Sequence, residues 1–76
     1  MTLDKLRPGQ KARIVAVDGN GALRRRLLDM GLTPNTMILV KKMAPLGDPI
    51  ELHVRNFVLT LRKEDAKQIL VAAVVQ

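Results

Sequence analysis

The chain has 76 residues, of which 47% are hydrophobic, and it carries a net charge of +6 with no cysteine. This length fits one domain near the lower size limit, and the missing cysteines exclude disulfides and thiolate metal sites. A basic chain favours acidic partners such as nucleic acid, anionic lipid or an acidic protein surface. The longest uncharged apolar run, residues 69–75, falls well short of the ~20 residues of a membrane-spanning helix, and the N-terminus lacks a signal-peptide pattern. We therefore expect a soluble, cytoplasmic protein.

A helical turn and a strand are the first predicted elements. Thr2 can cap a short turn that has Leu3 and Leu6 on one face and ends before a Pro-Gly pair at residues 8–9. Residues 11–17 then alternate partly between apolar and polar side chains and are rich in β-branched residues, which predicts a strand.

The hydrophobic period changes after a turn cluster at residues 18–21. Leu23, Leu27 and Met30 recur at helical spacing, which predicts one amphipathic helix over residues 22–30. Asn20 is its predicted N-cap, and Gly31 stands where a glycine commonly ends a helix.

Four further strands follow the helix. They are predicted at residues 37–43, 50–54, 57–61 and 69–75. Residues 55–56 read as a tight hairpin turn, because Asn56 tolerates positive φ. Phe57 alternates with leucines and is expected in the core, as are Met30 and Met37.

With a helical turn at residues 63–67, the element order predicts a small barrel. Five short strands cannot form two packed sheets of useful size, and curling into one barrel removes most exposed edges. The last strand is apolar on both faces, so it should either be covered on both sides or close the barrel beside the first strand. We predict a mainly β fold with short helices, a single domain over residues 1–76, built as an SH3-like or OB-like β-barrel of about five strands.

The side chains do not support catalysis. The sequence has one histidine, threonine as its only aliphatic hydroxyl residue, and no cysteine, serine or tyrosine. No phosphate-binding loop of the G-x-x-x-x-G-K type occurs. Because an enzyme needs positioned acid, base or nucleophile groups, we predict that the chain is not an enzyme.

Asp48, Glu51 and His53 are the candidate ligands for a metal such as ferrous iron, since they lie close together in the sequence. Four good ligands are usual for a structural site, and one histidine cannot supply them. Glu51 and His53 fall on the outward side of the clearest strand, where a polar face explains them without any ligand. We therefore assign no dedicated cofactor, and weak binding of ferrous iron at these residues stays an open alternative.

Three consecutive arginines lie on the predicted helix. Successive helical residues are about 100° apart, so Arg24, Arg25 and Arg26 fan out rather than form one patch. They are either a solvated helix face or an electrostatic contact with an acidic partner surface. Nucleic-acid binding by small barrels usually adds aromatic stacking platforms, and Phe57 is the only aromatic residue, which makes nucleic acid the weaker choice of partner.

The loop at residues 44–49 is the second candidate for binding. Pro45 and Pro49 stiffen it, which lowers the entropy lost on docking. Leu46 lies at its tip, where an apolar side chain either packs onto the barrel or binds a partner. Met43 borders the loop and is either core filler or part of a deformable surface.

Four segments carry a pattern that resembles one family. They are residues 26–34 (RLLDMGLTP), residues 44–50 (APLGDPI), residues 61–66 (LRKEDA) and the leucine and glycine spacing of residues 3–9. In this order over residues 3–71, they resemble the ferrous-iron transport protein A (FeoA) family. Where the family often has glycine, this chain has Asn35 and Asn56, and Asn is the commonest non-glycine residue at positive φ, so the backbone is preserved.

The resemblance implies an SH3-like β-barrel that works beside FeoB, a membrane ferrous-iron transporter with a cytosolic GTPase domain. A similar fold occurs as the C-terminal domain of iron-dependent repressors, but this chain has no room for a helix-turn-helix domain, so the free-standing accessory form fits better. Our hypothesis is a non-enzymatic accessory protein that binds the cytosolic part of FeoB and regulates it or assists its assembly.

The predicted contacts lie on the helix and the loop. They are Arg24, Arg25, Leu28, Met43, Pro45, Leu46 and Asp48. Arg24 and Arg25 would steer the chain towards acidic groups, and Leu46 would supply an apolar anchor. Two alternatives stay open: a nucleic-acid-binding barrel, whose affinity would fall steeply with salt, and a metal-sensing domain that binds ferrous iron through His53.

Overall fold

The computed structural model describes residues 1–74. Its strands are β1 (Lys11–Val17), β2 (Met37–Met43), β3 (Ile50–Val54), β4 (Phe57–Leu61) and β5 (Ile69–Ala73), and its α-helices are α1 (Gly21–Asp29) and α2 (Lys63–Ala66). Short 3₁₀ turns occupy Leu3–Lys5 and Pro45–Gly47. All five predicted strands and the helix are confirmed to within one or two residues; residue 75 of the predicted last strand lies outside the described residues. Over residues 1–74, no helix has the length and apolar character needed to cross a membrane.

The five strands form one antiparallel sheet in the order β4-β3-β2-β1-β5. The expectation that the last strand lies beside the first is confirmed, with Val71 opposite Ile14. The β1–β5 and β2–β3 pairings each contain one register shift, and such bulges increase the bend and twist that let a short sheet wrap around a core. The fold is therefore mainly β with short helices, as predicted.

One face of the sheet supplies most of the core. In β3, Ile50, Leu52 and Val54 are buried while the two residues between them are half-buried on the outer face. The helical segments cover the ends of this face, and their fully buried side chains are Leu3, Leu6, Leu27, Leu32 and Ala66. Hydrophobic burial by these elements is the main source of stability in a chain with no cross-links.

Two expected core residues are exposed. Met37 is 44% exposed because Ile38 and Val40 point into the core, which turns Met37 to the outer face. Phe57 is also 44% exposed, because it begins a strand at the sheet edge where no further strand covers it. Met30 is half-buried and packs against the core, so its placement agrees with the expectation only in part.

The hairpin between β3 and β4 has the predicted position but a different conformation. Positive φ falls on Arg55, at 56°, and not on Asn56. Positive φ at a central residue is common in the two-residue turns whose twist matches the flanking strands. Asn35 does adopt the expected left-handed conformation, with φ at 72°.

Both ends of α1 are capped as the sequence predicts. The Asn20 side chain accepts a hydrogen bond from the Leu23 N–H at 2.9 Å. At the other end, Gly31 has φ at 98°, its N–H donates to the Leu28 carbonyl, and the Leu32 N–H donates to the Leu27 carbonyl. This pair of bonds is a Schellman motif, which requires a residue that tolerates positive φ at the glycine position.

The predicted cap at Thr2 is wrong in detail. The Thr2 hydroxyl bonds the carboxylate of Asp4 and not a backbone N–H of the turn that follows. Burial of Leu3 and Leu6 holds this turn in place.

Candidate partner-docking surface

Two of the three arginine side chains of α1 bind other residues of the described chain, and one does not. The Arg24 Nε donates to the Val17 carbonyl oxygen at 3.0 Å, which ties the helix to β1. The Arg26 Nη2 lies 3.2 Å from Asp65 Oδ2 and ties the helix to α2. The side chain of Arg25 is exposed and has no hydrogen bond or ion pair with any residue between 1 and 74. Of the three, Arg25 is therefore the one most available to an acidic partner.

The loop after β2 holds an apolar side chain out in solvent. The Gly47 N–H donates to the Ala44 carbonyl at 2.9 Å, and the Ala44 N–H donates to the Pro49 carbonyl at 3.0 Å. At the tip, Leu46 is 95% exposed and has φ of 70° and ψ of 9°. A non-glycine residue in this region costs about 1–2 kcal/mol, and here no burial offsets the cost.

Asp48 fixes the base of the loop to α2. Its Oδ1 accepts a hydrogen bond from the Lys63 N–H at 3.1 Å, so it satisfies a backbone donor at the start of that helix. Asp48 was predicted as a contact for a partner, and its carboxylate is already engaged within the chain.

Removing this carboxylate should loosen the loop. We expect Asp48→Ala to lower the free energy of unfolding by about 1 kcal/mol, the usual cost of losing a cap. Asp48→Asn keeps an acceptor oxygen and should retain most of that stability. Urea denaturation of the three proteins measures the difference, and equal losses for both variants would show that the hydrogen bond contributes little.

The helix α1 and the loop at residues 44–49 lie along one surface, with α2 between them. An open concavity next to the helix is lined by Arg26, Met30, Thr60, Leu61, Arg62, Glu64 and Asp65. The next concavity, beside the loop, is lined by Asp48, Pro49, Arg62, Lys63, Glu64 and Lys67. The predicted helix contacts and loop contacts therefore border neighbouring depressions rather than a common one.

The remaining predicted contacts differ in accessibility. Pro45 is exposed and begins the 3₁₀ turn, next to Leu46. Leu28 and Met43 are half-buried and pack against the core, so each offers only part of its side chain to a partner.

The candidate metal ligands do not assemble into a site. Within residues 1–74, no group of three or more His, Cys, Asp or Glu side chains lies close enough to hold an ion. Asp48 is bonded to the Lys63 N–H, and the Glu51 carboxylate lies 3.9 Å from the Lys42 ammonium. His53 sits opposite Val58 and Leu39 on the neighbouring strands. Among the described residues, Asp48, Glu51 and His53 are therefore not brought together as a joint site.

Two properties of this surface leave no local pattern in the sequence. Bonds between residues far apart in the chain, such as that from Arg26 to Asp65, leave no local pattern. The exposure of Phe57 leaves no local pattern either, because it follows from the position of β4 at the edge of the sheet.

The fold and surface define a class of protein: a small SH3-like barrel that presents a basic helix and an apolar loop tip. Residues 1–73 match the family model for the FeoA domain, and the chain belongs to the FeoA family. This family takes part in ferrous-iron transport, as the resemblance implied.

Known proteins support this assignment. The chain is 41% identical over 69 residues to a protein of Porphyromonas gingivalis named Fe(2+) transport protein A/Fe(2+) transporter FeoB fusion protein; the match spans 91% of this chain and 8% of that protein. The solution structure of a FeoA-like protein from Clostridium acetobutylicum superposes with a TM-score of 0.91 at 34% identity, covering 100% of this chain and 88% of that one.

The description of a third relative names the fold itself. The crystal structure of FeoA from Stenotrophomonas maltophilia, complexed with zinc and described as a prokaryotic SH3 domain protein, has a TM-score of 0.84 at 28% identity, covering 95% of this chain and 89% of that one. A manganese-dependent transcriptional repressor shares the fold alone, at 14% identity over 36% of its own chain.

Proposed function

We propose that this chain is a non-enzymatic accessory protein of ferrous-iron transport that acts in the cytoplasm by binding the cytosolic part of the FeoB transporter. The relative from P. gingivalis supports this partner, because its name places a transport protein A and a FeoB transporter in one chain. Two domains on one chain meet at high effective concentration, so a fusion is suited to domains that bind each other.

The exposure of the Leu46 side chain is the main observation that supports the proposal. This side chain is 95% exposed, and the backbone of Leu46 adopts a left-handed conformation that leucine disfavours. An apolar centre surrounded by a polar rim is the usual make-up of a protein interface. Arg25, exposed on α1, supplies a positive charge that attracts acidic groups on the partner.

Leu46→Gly is the sharpest test, because it removes the side chain and also relieves the positive φ of 70°. Burying a leucine contributes about 1.5–3 kcal/mol, so affinity for the purified cytosolic domain of FeoB should fall roughly 10- to 100-fold. The free energy of unfolding should stay equal or rise slightly. Isothermal titration calorimetry and urea denaturation measure the two quantities on the same samples.

Charge variants complete the experiment. Arg25→Glu should weaken binding, most strongly at low salt. Lys11→Glu makes the same change of charge at an exposed residue of β1, away from α1 and the loop, and should have little effect. The proposal fails if none of these proteins binds the transporter domain, or if Leu46→Gly binds as well as the wild type. Steep, salt-dependent binding to polyanions with no binding to FeoB would point to nucleic acid instead.

A further inference from the structure

The two edge strands of the sheet, β5 and β4, differ in whether other backbone segments pair with them. The outer edge of β5 is covered by the N-terminus, where Thr2 bridges Leu70 and the Val71 N–H donates to the Met1 carbonyl at 2.8 Å. The outer edge of β4 pairs with no strand, turn or terminus in residues 1–74. A sheet edge with free backbone groups is a template for pairing with another chain.

The register shows which backbone groups are free. Val54 and Phe57 flank the two-residue turn, so they form a hydrogen-bonded pair, and Leu52 with Leu59 forms the next one. The intervening residues Val58 and Thr60 therefore point their N–H and C=O groups away from β3. Both side chains are exposed, with Val58 at 52%.

β4 lacks most of the devices that protect natural edge strands. Its sequence, FVLTL, contains no charge and no proline, and its pairing with β3 has no register shift. Native proteins usually block an exposed edge with lysine, proline or a bulge. Its short length is the one protective feature, and it limits an added strand to about the same five residues.

Positive charges stand at both ends of this neutral strand. Arg55 precedes it, and Arg62 and Lys63 follow it; all three are exposed. Antiparallel pairing of two copies of β4, centred on Leu59, would place Arg55 opposite Lys63 of the other copy at both ends. Like charges directly opposite each other destabilise a pair of strands, so self-association along this edge is disfavoured.

We propose that the free edge of β4 binds an extended segment of a partner protein by antiparallel strand addition, and that this segment carries acidic residues on both sides of an uncharged stretch of about five residues. Main-chain hydrogen bonds to Val58 and Thr60 provide affinity. The acidic residues pair with Arg55 at one end and with Arg62 and Lys63 at the other. This site is separate from the proposed function, and a peptide tests it without the transporter.

The probe is a synthetic nine-residue peptide, long enough to face residues 55–63. It has acetyl and amide ends, acids opposite residues 55, 62 and 63, and alternating Val and Thr between them. NMR amide exchange on the full chain should show added protection at Val58 and Thr60, with little change at Phe57, Leu59 and Leu61, which already bond β3. Protection without this alternation, or at another site, contradicts strand addition.

Modified peptides test the geometry. Methylating the peptide nitrogen opposite Val58 or Thr60 should reduce affinity at least tenfold, because that N–H points at β4. Methylation opposite Leu59 should change affinity little, since that N–H points away. Equal effects at both kinds of position, or no binding of the unmodified peptide at millimolar concentration, would overturn the inference.

Protein variants test the edge and the charges. Thr60→Pro removes an outward N–H that β3 does not use, so it should reduce peptide affinity at least tenfold in a folded protein. Arg55→Glu/Arg62→Glu should do the same at low salt, while Lys11→Glu/Arg13→Glu makes an equal charge change on β1 and should not. If Thr60→Pro does not fold, the methylated peptides still test whether the peptide adds as a strand. Unchanged peptide affinity in the Arg55→Glu/Arg62→Glu variant would contradict the role given to the charges.

Discussion

Leu27→Ala should lower the free energy of unfolding by about 3–5 kcal/mol, the upper range for a leucine truncated in a well-packed core. Leu27 is fully buried and is the only fully buried residue of α1. Its side chain fixes the helix to the core, and the half-buried Leu23 and Leu28 contribute smaller contacts. Since small domains have about 5–15 kcal/mol in total, this variant should be close to unfolding at room temperature.

Two neighbours serve as controls for Leu27→Ala. Leu28→Ala removes a side chain of the same size that is only half-buried, and its cost should be less than half as great. Arg25→Ala changes an exposed position and should stay within about 0.5 kcal/mol. Urea denaturation followed by circular dichroism measures all three; a loss below 1 kcal/mol for Leu27→Ala would mean that the helix is not held by this contact.

Gly31→Ala is the second large effect, expected at about 2–3 kcal/mol. The position has φ of 98°, which L side chains rarely adopt. An added Cβ would also lie 3.1 Å from Cζ of Phe57, closer than ordinary van der Waals contact. The conformational part alone accounts for about 1–2 kcal/mol, and the contact with the ring adds to it.

A double-mutant cycle separates these two causes. In a Phe57→Ala background the contact is absent, so Gly31→Ala should cost only the conformational part. Gly21→Ala is the matched control, because Gly21 lies in the first turn of α1 at ordinary φ with open space around it, and alanine there should be neutral or slightly stabilising. An equal cost of Gly31→Ala in both backgrounds would show that the ring simply moves aside.

The strands were predictable wherever only one side of a strand is buried. In β3, Ile50, Leu52 and Val54 alternate with polar residues, so the period-2 pattern identifies both the strand and its inner face. β2 has no such alternation, since Met37 and Leu39 on its outer side are as apolar as Ile38 and Val40 on its inner side. The sequence therefore located β2 but could not orient Met37.

The candidate surface was predictable only in outline. Leu46 stands out in the sequence as an apolar residue between prolines, and the structure shows that it stays in solvent. The bond from Lys63 to Asp48 spans 15 residues, and the bond from Arg26 to Asp65 spans 39. No local pattern records such pairs, so the sequence could not show that Asp48 and Arg26 are engaged while the Arg25 side chain has no partner within residues 1–74.

By itself, the sequence determined the element order, the caps of α1, the mainly β class and the family, because each depends on neighbouring residues or on spacing along the chain. Tertiary structure alone decided which strand is left at the edge, which charges are paired and which apolar side chains remain outside. Those properties depend on which segments, distant in the sequence, come into contact when the sheet wraps around its core. Exposed Phe57, paired Arg26 and the uncovered edge of β4 are all consequences of that meeting.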